Sequence, residues 1–320
     1  MNGRGQPYPT APITFIAAAP PGGGWHQTCE ATVQVLNEER LLPVEARIVE
    51  TPGGLSVLED VVTRRRGDGH TLVAFSPGLT LQILLKGSRY TYEDITPLAS
   101  LSTDYGVLVV PVDSTTRMLG PLLERLRRGG ESVTVTGGSG PGAMHHGMAA
   151  LLARAANLPA GAVQYVGAAS VAEGLAAVRQ ARVALGAFGT ADVIEDVRRG
   201  TLRPIAVLGE ERLGGVFAGV PTAREQGVEV VFPMWRGFYA PPDVGSAVVD
   251  YWADAFTRFS RSPAWTRLLE ARGWFPFLLT GARFRAFLAE DTHRYVRALG
   301  ASGTAGSGSP PRPGLAREGG

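Results

Sequence analysis

The chain of 320 residues has one cysteine, Cys29, and one lysine, Lys86. A single thiol excludes an internal disulfide and any metal centre built on several cysteines. Cys29 falls on the apolar side of an expected helix, which fits a small buried core residue better than a reactive thiol. No apolar run approaches the ~18 residues that span a bilayer. The start, Met1-Asn2-Gly3-Arg4-Gly5-Gln6-Pro7, lacks the apolar centre of a signal peptide. A strong excess of one charge is also absent. The formal net charge is +2, and the runs Arg64-Arg65-Arg66 and Arg125-Leu126-Arg127-Arg128 are short. They fit solvated helix ends, not a nucleic-acid groove. Between Glu131 and Glu173 there is no carboxylate at all.

What is present is an alternation of strand-like and helix-like segments, with enough length for two α/β domains. Strands are expected over 12–18, 45–50, 71–75, 106–110, 132–136, 162–166, 182–187, 204–208 and 237–240. Helices are expected over 25–39, 56–66, 117–128, 143–156, 169–179, 191–199, 244–260, 263–271 and 281–298. The pattern argues for parallel sheets covered by helices, with ligands bound beyond the strands' carboxyl ends. Crossings between two sheets are expected near Asp104-Tyr105-Gly106 and Phe232-Pro233-Met234-Trp235. They divide the chain into a flexible start (1–10), a first lobe (11–104 plus 232–299), a second lobe (105–231) and a disordered Gly/Ser/Pro tail (300–320).

Two glycine loops stand out, Pro20-Pro21-Gly22-Gly23-Gly24-Trp25-His26 and Gly137-Gly138-Ser139-Gly140-Pro141-Gly142, each between a strand and a helix. A glycine backbone approaches a ligand closely, and the helix that follows offers free N–H groups and a positive dipole end. Two such anion cradles suit a ligand with more than one negative group. Enzyme patterns fail. Ser139 with His145 or His146 suggests a serine hydrolase, but the nucleophile elbow is broken by Pro141 and no nearby acid orients a base. The partial fingerprint Gly138, Gly140, Ala143 lacks its acidic partner, and Lys86 has no phosphate-loop frame. Adjacent histidines do not share a helix face. No catalytic residue, metal or cofactor is therefore expected, and the pattern is one of binding.

The sequence resembles the TctC, or Bug-type, substrate-binding proteins of tripartite tricarboxylate transporters from about Tyr8 to Leu299. The landmarks are Tyr8-Pro9-Thr10-Ala11-Pro12-Ile13-Thr14, Pro21 to Trp25, Gly67-Asp68-Gly69-His70-Thr71-Leu72 and Ile95-Thr96-Pro97-Leu98-Ala99. Gly137-Gly138-Ser139 with His145, Gly200 to Val207, Val220-Pro221-Thr222, Glu225-Gln226-Gly227 and Trp235-Arg236-Gly237 with Ala240-Pro241-Pro242 complete them. The resemblance implies a type II periplasmic-binding fold: two α/β lobes, each with a parallel-rich sheet, around an interlobe cleft. It also implies a monomer outside the cytoplasmic membrane that takes an organic carboxylate and delivers it to membrane permease subunits. A ligand sensor for a membrane signalling partner is the other role it leaves open. Carried over, the ligand-facing residues are Gly22, Gly23, Gly24, Trp25, His26, Ser76, Gly138, Ser139, Gly140, His145, Phe188, Gly189 and Thr190. His26 and Phe188 stand where relatives carry acids. Their loss favours a di- or tricarboxylate over an amino acid.

Overall fold

The structure, a computed structural model, describes residues 8–128, 132–158 and 162–300. Its strands form two sheets. The first is built from β1 (Ile13–Ala17), β2 (Ala46–Glu50), β3 (Thr71–Phe75), β4 (Thr96–Thr103), β10 (Arg236–Ala240) and β11 (Phe275–Thr280), in the order β11-β4-β10-β3-β1-β2. The second contains β5 (Gly106–Pro111), β6 (Val133–Thr136), β7 (Val163–Val166), β8 (Leu185–Gly189) and β9 (Leu202–Val207), in the order β7-β6-β8-β5-β9. The α/β architecture matches the sequence expectation, while each sheet is mixed.

The reversed strands follow from how the chain changes sheets. β4 ends at Thr103 and β5 starts at Gly106, so β5 enters its sheet from the edge where β8 leaves and pairs with it antiparallel. β10, entering on the return, is antiparallel to β3 and β4 for the same reason. The two crossings hold each other: Met234 N–H donates to the Asp104 carbonyl (2.7 Å) and Gly106 N–H to that of Phe232 (3.0 Å).

The helices are α1 (Gly24–Glu38), α2 (Gly54–Arg64), α3 (Pro77–Lys86), α4 (Leu119–Arg127), α5 (Met144–Ala155), α6 (Val171–Arg179), α7 (Thr190–Arg198), α8 (Ser246–Ser260), α9 (Pro263–Arg272) and α10 (Gly281–Gly300). On one face of the first sheet Phe15 and Phe238 pack against Trp252 and Phe256 of α8 and Trp265 of α9. On the other, Phe75, Trp235 and Tyr239 meet Phe284 and Leu288 of α10. Val135, Leu185 and Leu108 of the second sheet bury Met148 and Leu152 of α5, while Val107, Val109 and Phe188 bury Val178 and Val193 on the opposite face. Cys29 is fully buried, as expected.

Three elements depart from the sequence expectation. α3 is mostly apolar from Leu79 to Leu85, broken by Thr80 and Gln82, with little sidedness, but its start is well capped: Ser76 Oγ accepts from Gly78 N–H and Pro77 opens the first turn. β4 and β11 each carry a proline in second position, which ordinarily argues against a strand. Pro97 is tolerated because β11 pairs only with Ala99 to Thr103, and Pro276 because β11 is an edge strand with a shifted register. The expectation of a flexible start is corrected at Tyr8. Its hydroxyl donates to the Gly69 carbonyl (2.6 Å) and accepts from Trp252 Nε1 (2.7 Å). The expected tail beyond Gly300 lies outside the described residues.

Candidate functional site

Both glycine loops fold into the same local shape. Gly22 and Gly142 adopt φ of +78° and +75°, conformations that favour glycine. Each is followed by an extended residue, Gly23 or Ala143, and then by the first residue of α1 or α5. Gly23 N–H donates to the Pro20 carbonyl (3.0 Å) and Ala143 N–H to that of Gly140 (3.3 Å). The positive-φ glycine then donates to a histidine one turn on: Gly22 N–H to His26 Nδ1 (3.3 Å), Gly142 N–H to His146 Nδ1 (2.8 Å). In the His146 ring, accepting at Nδ1 places the proton on Nε2. His26 Nε2 lies 3.0 Å from Glu50 Oε1, and Glu30 Oε2 is 3.2 Å from Nδ1. Burial lowers the pKa of His146, which keeps that ring neutral against Tyr165.

A third helix start, that of α3, stands between the two loops. Ser76 Oγ accepts from Trp25 Nε1 (2.8 Å) as well as Gly78 N–H (3.2 Å), which leaves its own proton to donate. A Cβ on Gly78 would lie 3.6 Å from Met144 Cβ and 3.7 Å from the Trp25 ring. The starts of α1, α3 and α5 therefore meet where the sheets face one another.

Beneath them runs a chain of polar side chains that the sequence did not assemble. Arg236 Nη2 donates to Asp104 Oδ1 (3.1 Å), and its guanidinium lies 4.4 Å over the Trp274 ring. Asp104 is fully buried; burial and the neighbouring Asp192 push its carboxyl up to about 6, against the pull of Arg236. Asp192, in the first turn of α7, accepts from Gly189 N–H (3.1 Å), with Oδ2 3.8 Å from His145 Nε2. Burial raises its pKa, but His145, Arg236 and the Gly189 amide together hold it below the usual carboxylate range. His145 Nδ1 is 3.0 Å from Ser139 Oγ. Asp104 Oδ2, Arg236 Nε and His145 Nε2 are buried without a hydrogen-bond partner among the described residues.

The expected ligand-facing residues divide into two groups. Gly22, Gly24 and Gly140 are exposed, with Gly23, Trp25, Gly138 and Ser139 half-buried beside them. Gly138 serves packing, since a Cβ there would run into the Val171 side chain. Ser139 Oγ accepts the His145 amide (3.3 Å) and so caps the start of α5. Ser76 and His145 are buried under the loops. Of the expected ligand-facing residues, His26, Phe188 and Thr190 have side chains engaged within the protein. His26 is tied to Gly22, Glu30 and Glu50. Phe188 is wholly inside the second sheet's core. Thr190, 2 % exposed, pairs with the backbone of Tyr105 across the crossing. Gly189 is buried too, because Asp104 Oδ2 and Asp192 Oδ2 converge on it, 2.5 and 3.2 Å from where a Cβ would sit. Asp192 was within reach of the sequence, as an acid three residues after a strand-end glycine. Asp104 carried no pattern of its own.

Comparisons with known proteins identify the family and the fold. The model of the family described as TctC, tripartite tricarboxylate transporter family receptor, matches residues 46–303. Protein BugT of Bordetella pertussis is 26% identical over 313 residues, covering 92% of this chain and 91% of that one. Among solved structures, a TctC solute-binding protein from Polaromonas without ligand superposes with a TM-score of 0.75 at 22% identity, covering 92% of this chain and 99% of that one. MatC from Rhodopseudomonas palustris with bound malate gives 0.74 at 19% identity, covering 91% and 99%. An R. palustris protein with adipate gives 0.74 at 20% identity, covering 93% and 98%. Among the described residues no helix is long and apolar enough to cross a membrane.

Proposed function

The chain belongs to the TctC family of tripartite tricarboxylate transporter receptors, and on that premise we propose that it captures an organic carboxylate outside the cytoplasmic membrane and hands it to the permease subunits of such a transporter. The observation that carries this reading is the matched pair of helix-start loops, Pro20 to His26 on the first sheet and Gly140 to His146 on the second. Each aims free amides and a positive helix end at the space between the sheets. The residues 11–104 with 232–299 act as one lobe and 105–231 as the other. An anionic ligand that touches both loops binds the closed arrangement better than the open one and so draws the lobes together. Malate and adipate, bound by proteins of the same fold, make dicarboxylates the first probes. The preference for a di- or tricarboxylate over an amino acid loses part of its basis, because two carboxylates, Asp104 and Asp192, converge beside Gly189.

A thermal-shift screen of di- and tricarboxylates, aromatic acids and amino acids tests the proposal. A ligand at about 100 times its Kd stabilises the fold by about 2.7 kcal/mol, a readily measured rise in Tm. No response to any acid would remove it. One contact favours a second reading, a serine hydrolase: Ser139, His145 and Asp192 stand in the order of a nucleophile, base and orienting acid. Against it, 3.8 Å between His145 Nε2 and Asp192 Oδ2 is too long for an orienting hydrogen bond. Labelling of Ser139 by a serine-directed phosphonate would reverse that judgement.

A further inference from the structure

We infer that Arg236 is the charged anchor of the site, its Nη1 edge receiving the ligand carboxylate beside the start of α1. The inference rests on the carboxylate-receptor reading and adds the group that tells a carboxylate from a neutral isostere.

Arg236 opens β10 and is 8% exposed. Asp104 Oδ1 and the Trp274 ring fix its plane, one at an edge and one on a face. Nη2 and Nε share the edge turned towards Asp104. Nη1 occupies the opposite edge and lies 3.5 Å from the point where a Cβ of Gly24 would sit. Gly24 is exposed and is the first residue of α1. The first bond closing the α1 ladder is Gln27 N–H to the Gly23 carbonyl (2.9 Å), so the amides of Gly24, Trp25 and His26 precede it without an intrahelical acceptor. Glycine at position 24 keeps side-chain atoms from covering Nη1.

A helix start alone binds any acceptor oxygen, since its donors are neutral amides. A guanidinium already held in place adds a full charge with little further loss of rotamer freedom. Because Arg236 is buried, that charge is poorly screened, and an uncharged carboxamide of the same shape would place an N–H₂ or a weaker acceptor against it. Asp104 holds the guanidinium in position and leaves the Nη1 edge to the ligand.

The test compares wild type, D104N and the double variant R236Q/D104N, which swaps the buried ion pair for an amide pair and avoids a lone buried charge. Calorimetric titrations use adipate and malate, each beside its neutral diamide. Wild type should bind the acid and discriminate against the diamide. R236Q/D104N should lose about 10- to 100-fold in acid affinity, the range of one hydrogen bond to a charged group, with its acid-over-diamide preference collapsing. D104N should keep the preference, because it retains the guanidinium. A purely structural ion pair would instead weaken D104N and the double variant alike, with the preference intact, and would overturn the inference. Silence of wild type towards every acid would remove the receptor reading and this one together. A binding wild type whose double variant keeps both affinity and preference would remove this one alone.

Discussion

Asp291 of α10 shows how a buried carboxylate behaves when no ligand is involved. Its Oδ2 accepts from Trp235 Nε1 (3.0 Å), and Arg294 is 3.5 Å from Oδ1. Burial pushes the carboxyl up to about 6, against the hydrogen bond from Trp235 and the charge of Arg294. A folded-state value above the ordinary 3.8 means that the folded form binds the proton more tightly. The associated stability is therefore full below pH ~4 and is lost as pH rises through about 6. Asn keeps an acceptor for Trp235 and carries no charge. D291N should be more stable than wild type at pH 8 by up to about 3 kcal/mol, with the difference shrinking towards zero near pH 4. Denaturant midpoints of both proteins across that range measure it, and a difference independent of pH would contradict it. His26 illustrates the converse at the same scale. Its place in a glycine loop suggested ligand contact, yet its ring serves Gly22, Glu30 and Glu50.

The twin loops are the elements on which the site depends, and their glycines are not equivalent. Gly142 has φ of +75°, and a Cβ would also come within 2.9 Å of Lys86 Cε. Gly140 has neither constraint. Gly142→Ala should lower stability by about 1–2 kcal/mol, the penalty of a left-handed alanine, whereas Gly140→Ala should stay within about 0.5 kcal/mol. Urea unfolding midpoints separate the two, and equal effects would show that the loop relaxes into another shape. The loops were legible in the sequence because glycine runs between a strand and a helix have few other uses. Their common register was not, since Gly22-Gly23-Gly24 and Gly142-Ala143-Met144 share only the residue that needs positive φ. The alternation of elements was legible for the same reason that β4, α3 and β11 were not: amphipathic periodicity marks half-buried segments, while a helix without a polar face or a strand carrying proline has none. Asp104, Asp192 and Arg236 come from a crossing, a helix start and a strand start far apart in the chain. Only the return crossing at Phe232 to Arg236, paired with Asp104 to Gly106, brings them together.

For the whole molecule, the proposed closure requires that the two sheets move relative to one another about the paired crossings, and the contact between α3 and α5 offers a way to stop them. A Cβ on Gly78 would stand 3.6 Å from Met144 Cβ, inside the ~3.5–4.5 Å range of disulfide-linked residues. Gly78 is not at a positive φ, and Cys29 is fully buried. The double variant G78C/M144C should therefore oxidise readily and tie the helix starts of the two sheets together. Closing a loop of this length stabilises a fold by up to about 4 kcal/mol, so the oxidised protein should also melt later. If ligand enters by separation of the lobes, protein oxidised without ligand should take up adipate or malate far more slowly than the reduced form. Protein oxidised in the presence of a bound acid should retain it through dialysis, and reductant should release it. Equal association rates for oxidised and reduced protein would mean that the cleft admits ligand without lobe movement. The loops would then act as a rigid rim, and differential binding to a closed state would have no part in capture.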